Sequence, residues 1–251
     1  MNETIYVYDG TFEGLLTAIF DSYESKRRPT AIQPHDRKSP QLFAEVADIF
    51  TDVKKANRVA KKLETLDKSL FKNLFRVYLS EHDERELLIY RIVRIMLEDS
   101  SRAKSDFRHP DILRMKEILK EIRREVHRMH AFVRFQRLAD DIWFSAIEPD
   151  FDVMPLIGSH FKKRYADQKW LIYDLHRGYG LYYDLKKTDF VELDAKSLGN
   201  LSEDLLHHEE KDYQALWKEY FDSVNIKARR NMKLHIRHVP KRYWKHLFEK
   251  L

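Results

Sequence analysis

The hydrophobic period of this 251-residue chain changes near residue 130, and a fold that accommodates the change must carry both helices and strands. Over residues 110–129 the apolar side chains Met115, Ile118, Leu119, Ile122, Val126 and Met129 recur at spacings of three and four, the stripe of an amphipathic helix. Pro110 suits the first turn of that helix, where its missing N–H costs nothing. Beyond it the pattern becomes alternating. Residues 132–138 and 142–148 flank Ala139-Asp140-Asp141, and residues 169–175 and 181–185 flank a His-Arg-Gly-Tyr-Gly loop, so two antiparallel hairpins are predicted. A helix over residues 153–165 separates them.

The N-terminal half reads as rich in helix. Residues 4–8 alternate around Ile5 and Val7 and predict a short strand, which Asp9-Gly10 turns into a helix carrying Phe12, Leu15, Leu16, Ile19 and Phe20. Residues 26–40 hold three Pro and five Lys or Arg and predict an exposed loop. A second strand is expected within 42–50, then helices over 52–66 and 68–79. Residues 83–97 are apolar on most sides, the mark of a helix packed on several faces. The polar stretch 99–109 suggests a boundary. The reading is therefore an α+β chain, with a helix-rich βα region over 1–108 and an α+β region over 109–251 that ends in one or two basic helices.

Charge is distributed unevenly. The whole chain is +5, yet residues 225–251 contain nine Lys or Arg (Lys227, Arg229, Arg230, Lys233, Arg237, Lys241, Arg242, Lys245, Lys250) against the single acid Glu249. Basicity confined to one end, with Tyr243 and Trp244 inside it, is what binding to a polyanion requires. A disordered polybasic tail would lack the Met232, Leu234, Ile236, Val239, Leu247 and Phe248 that this end also carries. Arg229, Arg230, Lys233, Arg237, Lys241 and Arg242 are the candidate phosphate contacts, with Arg134 and Arg164 secondary to them. Tyr243 and Trp244 either stack on unpaired bases or fill the core.

The chain has no Cys, which excludes disulfides, thiolate zinc sites, thiol nucleophiles and cysteine-bound iron–sulfur clusters within it. No cofactor is expected. No apolar run approaches 18 residues and the first nine residues do not form a leader, so a soluble cytoplasmic protein without membrane contact is the expectation. His127 and His130 stand three apart on the helix over 110–129, a spacing that two ligands of one metal can use, but two ligands are not a site. Together with Lys116, Lys120 and Arg123 they share one face of that helix, which either solubilises it or meets an anion. Glu148 and Asp174 end two predicted strands and are weak candidates for general acid–base or metal-assisted work. Asp9-Gly10-Thr11 with Gly14 lacks the Gly-Lys-Ser/Thr ending of a phosphate loop.

Six stretches, beginning Tyr8-Asp-Gly-Thr-Phe-Glu-Gly-Leu-Leu and Val126-His-Arg-Met-His, then His160-Phe-Lys-Lys-Arg-Tyr, Trp170-Leu-Ile-Tyr-Asp, Leu216-Trp-Lys-Glu-Tyr-Phe and Pro240-Lys-Arg-Tyr-Trp, together resemble a bacterial family linked to DNA metabolism and repair. That family is built on a domain of unknown function. It is similar to a domain fused ahead of uracil-DNA glycosylase-family proteins, and its stand-alone members accompany a DNA-modifying radical S-adenosylmethionine protein. The resemblance implies an accessory in DNA repair or modification, with DNA and such a radical protein as partners. The family's Asn-Pro-Ala-Arg-like stretch reads Asn225-Ile-Lys-Ala-Arg229 here, so Arg229 and Arg242 carry over as matching positions. Two other readings remain open from the residues: a nuclease or base-processing hydrolase using Glu148 or Asp174, and a module that docks an acidic protein.

Overall fold

A computed structural model of the protein describes residues 4–37, 44–99, 108–193, 207, 210, 214–216, 219, 236 and 239–250. The chain packs as two compact units, Met1–Ile122 and Arg123–Leu251. Arg229, Arg230, Lys233 and Arg237 lie outside the described residues, as does most of the expected basic helical end.

The first unit is built on a parallel three-stranded sheet in the order β2-β1-β3. Its central strand β1 (Thr4–Tyr8) is buried along its whole length, as a strand paired on both edges and covered on both faces must be. Asp9 then makes a closed turn. Its Oδ1 accepts from the Thr11 amide at 2.9 Å and the Thr11 hydroxyl at 2.7 Å, and its Oδ2 from the Thr51 hydroxyl at 2.7 Å. Helix α1 (Phe12–Glu24) starts from that turn, with the Thr11 hydroxyl accepting from the Gly14 amide at 2.9 Å as its N-cap. A Cβ at Gly14 would stand 2.3 Å from Asp9 Oδ1. The Asp9 carboxylate thus fills the space that an anion would need, which ends the phosphate-loop reading.

Residues 26–40 are not wholly loop. Ala31–Pro34 form β2, paired in parallel with β1, and His35–Arg37 make a 3-10 turn. Proline misled the sequence reading because β2 is an edge strand, and an edge position tolerates a residue that cannot donate. The other edge is β3 (Glu45–Asp48). Helix α2 (Val53–Tyr78) is capped by Asp52 and interrupted at Asp67, whose backbone is extended. Asp67 Oδ1 accepts from the Ser69 and Leu70 amides at 2.9 and 3.0 Å, so the two helices expected here abut across an internal cap. Helix α3 (Arg85–Glu98) buries Leu88, Ile89, Tyr90, Ile92, Val93 and Met96. It also buries Glu86, whose Oε1 accepts from the Tyr8 hydroxyl, Arg37 and Arg85.

Helix α4 (Pro110–Phe132) runs from the first unit into the second. The second unit holds a five-stranded sheet in sequence order, from β4 (Gln136–Arg137) and β5 (Trp143–Ile147) through β6 (Trp170–Asp174) and β7 (Tyr179–Tyr183) to β8 (Thr188–Val191). The strands were expected as separate antiparallel hairpins. They form one mixed sheet instead, because β5 and β6 pair in parallel across the crossover helix α5 (Met154–Arg164) while the remaining pairs are antiparallel. A helix between two strands allows the second to return parallel, and local alternation carries no information on that choice. Gly158 lets α5 approach β7, since a Cβ there would stand 2.5 Å from Leu181 Cδ2. Phe161, Trp170, Ile172, Leu181 and Tyr183 form the centre of this core, with Tyr243 from the chain's far end among them.

Candidate nucleic-acid interface

The described part of the basic end is anchored by its aromatic residues and by several of its charges. Lys241–His246 and Phe248–Lys250 are 3-10 turns rather than the expected α-helix. Pro240 precedes the first turn and supplies no amide to continue a regular ladder. Tyr243 is 2% exposed and packs 5.5 Å from the Phe132 ring, so it belongs to the core. Its hydroxyl donates to Glu125 Oε1 at 2.5 Å, and burial followed by the Glu125 hydrogen bond pushes its pKa upward. Arg242 donates to the same hydroxyl at 2.7 Å, lies 4.5 Å over the Tyr243 ring and pairs with Asp150.

Glu125 is the hinge of this arrangement. It is 1% exposed, accepts from the Asp150 amide at 3.0 Å and from Arg128 at 3.2 Å, and holds Tyr243 as described. In sequence it stands among the charged residues of this helix, yet the fold buries it. Its position on the row Ile118, Ile122, Glu125, Met129 was the available signal, because that row is the buried stripe. Asp150 sits beside it, and desolvation followed by the Glu125 charge raises the Asp150 pKa.

Lys245 and Glu249 are similarly engaged. Glu148 pairs with Lys245 and stands 3.6 Å from His246 Nε2. The Lys245 hydrogen bond holds the Glu148 carboxyl below the usual carboxylate range against the opposing effect of burial. Arg134 donates to the buried Glu249 at 2.8 Å and to the Ala131 carbonyl at 2.7 Å. Trp244 is half-buried, with Nε1 donating to the Val239 carbonyl at 3.0 Å. Lys241 is exposed. Arg164 is exposed in the last turn of α5, its guanidinium 5.7 Å from the Tyr165 ring.

A pH-dependent result follows for the Glu148–Lys245 contact. The folded-state pKa of Glu148 is depressed, so its contribution is present above the unfolded value of about 4.3 and is lost as pH falls through the folded value. Glu148→Gln should therefore melt below the native protein at pH 7, with the gap closing below about pH 4.3. A gap that does not change with pH would show that the pair contributes nothing through charge.

Asp174 is 0% exposed. Its Oδ1 accepts from the His176 and Arg177 amides at 2.9 and 3.2 Å, and its Oδ2 from the Arg177 guanidinium at 2.7 Å. It therefore caps the β6–β7 turn. β5 lies beside β6 with Ile147 opposite Asp174, and Glu148 follows one position on with partners of its own. The two carboxylates share no partner, and Asp174 presents no open side to a substrate. Among the described residues no three His, Asp or Glu are placed to hold a metal ion. His130 meets His160 as a stacked pair, ring centroids 3.8 Å apart.

Among the described residues no helix is long and apolar enough to cross a membrane. No curated protein matches the chain. A family model does match, over residues 83–249, and its span takes in α3, α4, the five-stranded sheet and the anchored end with its Glu125–Tyr243 contact. The chain therefore belongs to the DUF4130 family, which is defined by a domain of unknown function.

Proposed function

We propose that this protein is a DNA-binding accessory in DNA repair or modification, acting beside a partner of radical S-adenosylmethionine or glycosylase type that performs the chemistry. The observation that carries the reading is the charge of residues 225–251, nine cations against one acid in a chain that is otherwise slightly acidic. Arg242, Lys245 and Arg134 hold the end in place through Asp150, Glu148 and Glu249. That leaves the exposed Lys241, together with Arg229, Arg230, Lys233 and Arg237, as the phosphate contacts in this reading. The likeness of the chain's motifs to a DNA repair family supports it.

Electrostatic binding of this kind releases counterions, so affinity falls with salt. With roughly three to six phosphates contacted, log affinity for duplex DNA should fall against log salt with a slope of about −2 to −5. Replacing Arg230, Lys233 and Arg237 by Gln should flatten that slope by about 2 to 3 with little change in melting temperature, because charges that serve phosphate contact contribute little to folding. Absence of binding at low salt, or affinity indifferent to salt, would reject the proposal.

A further inference from the structure

The second unit carries exposed basic side chains on α4 and α5 that have no acidic partner among the described residues. Arg123, Arg124 and His127 are exposed on α4 and enter no ion pair among the described residues. Arg123, His127 and His130 follow at spacings of four and three, so they form one row along the helix. The row ends where His130 stacks on His160 of α5 at 3.8 Å with the rings 13° from parallel. From His160 the same side of α5 continues at spacings of three and four to Lys163 and Arg164, both exposed. Phe161 fixes the joint from beneath, with its ring edge-on to both imidazoles at 6.0 and 5.2 Å.

Neither helix contributes an acid to this surface. Within residues 123–132 the one carboxylate is Glu125, which is buried and committed to Tyr243, Arg128 and the Asp150 amide. Within residues 154–169 the one acid is Asp167, beyond the end of α5. Cations in the last turn of α5 favour the negative end of its own dipole. That reason does not extend to Arg123, which begins its row more than two turns before the end of α4. Lys162 is not part of the row, since it donates to the Lys186 carbonyl at 2.6 Å. Arg128 is also excluded by its bond to Glu125. Burial, with His160 and His127 beside it, holds the His130 imidazole below its usual pKa. The stacked pair therefore joins the two rows.

We infer that this two-helix surface, Arg123, Arg124 and His127 with Lys163 and Arg164, is a track for the phosphate backbone of nucleic acid. The inference rests on the DNA-binding reading and assigns it a second set of contacts, on α4 and α5. At 1.5 Å per residue, Arg123 to His130 spans roughly 10 Å, about three phosphates at 3.4 Å per strand step. Such contacts set position and carry no sequence preference. Among the described residues the track offers no exposed Phe, Tyr or Trp, which favours duplex backbone over splayed bases.

The test measures salt-dependent binding of the full chain to a duplex oligonucleotide of mixed sequence. In the variant Arg123→Gln, Arg124→Gln, Lys163→Gln, Arg164→Gln, affinity at low salt should fall at least tenfold and the slope should flatten by about 2 to 3. The melting temperature should hold, and if the fourfold variant does not fold, the pair Arg123→Gln, Lys163→Gln should still cost about threefold. Native affinity in a folded variant would overturn the track while leaving the DNA-binding reading intact. No binding by the native protein would reject both. Polyglutamate that binds as tightly as duplex, with the same loss in the variant, would overturn the inference in favour of an acidic protein partner.

Discussion

Replacing Glu125 by alanine is expected to lower the stability of the second unit by about 3 kcal/mol, the lower end of what removing one member of a buried charged network costs. The lower end applies because Arg128 and Arg242 reach solvent and can rehydrate, whereas the Tyr243 hydroxyl cannot. Tyr243, Arg128 and the Asp150 amide would all lose their acceptor at once. Chemical denaturation should show the loss, and amide exchange should quicken over residues 241–250. Glu125→Gln keeps an acceptor and should cost about 1 kcal/mol. Native stability and native exchange in Glu125→Ala would mean that the terminal turn is held by its apolar contacts alone.

Asp174→Ala should cost about 3 kcal/mol as well, because it takes the carboxylate from the nearly buried Arg177, leaving it backbone carbonyls such as Pro149, and removes the cap from two turn amides. Asp174→Asn retains an acceptor for those amides and should lose less. The pair of variants also bears on the hydrolase alternative. A turnover on DNA that disappears in Asp174→Asn while its unfolding curve matches the native one would restore a chemical role to this carboxylate. Loss of stability without any such turnover assigns it to the turn.

Much of the fold was legible because period and capping are local. The stripe Met115, Ile118, Ile122, Met129 marked α4, and Asp52 marked the start of a helical stretch. β2 was not legible, since two of its four residues, Gln33 and Pro34, signal a loop when read alone and make sense only beside β1. The parallel β5–β6 pairing was hidden for a related reason. It depends on where α5 returns the chain, a nonlocal choice. At the candidate site, charge density was readable and engagement was not. Nothing in the composition distinguishes Arg242, which faces Asp150, from Lys241, which faces solvent. Tyr243 and Trp244 looked alike in sequence, yet one ring is buried and the other is only half so.

The bond between Tyr243 and Glu125 closes a loop of 118 residues. Translation at roughly 5–20 residues per second places on the order of ten seconds between the appearance of the two side chains. Throughout that interval Glu125 has no tyrosine to accept from, and the pocket beside Phe132 that the ring will occupy is open. The second unit is thus a late-closing structure during its own synthesis. Binding factors that recognise exposed apolar surface have their longest opportunity there, and a ribosome stalled before Tyr243 would display a core that nothing already made can complete.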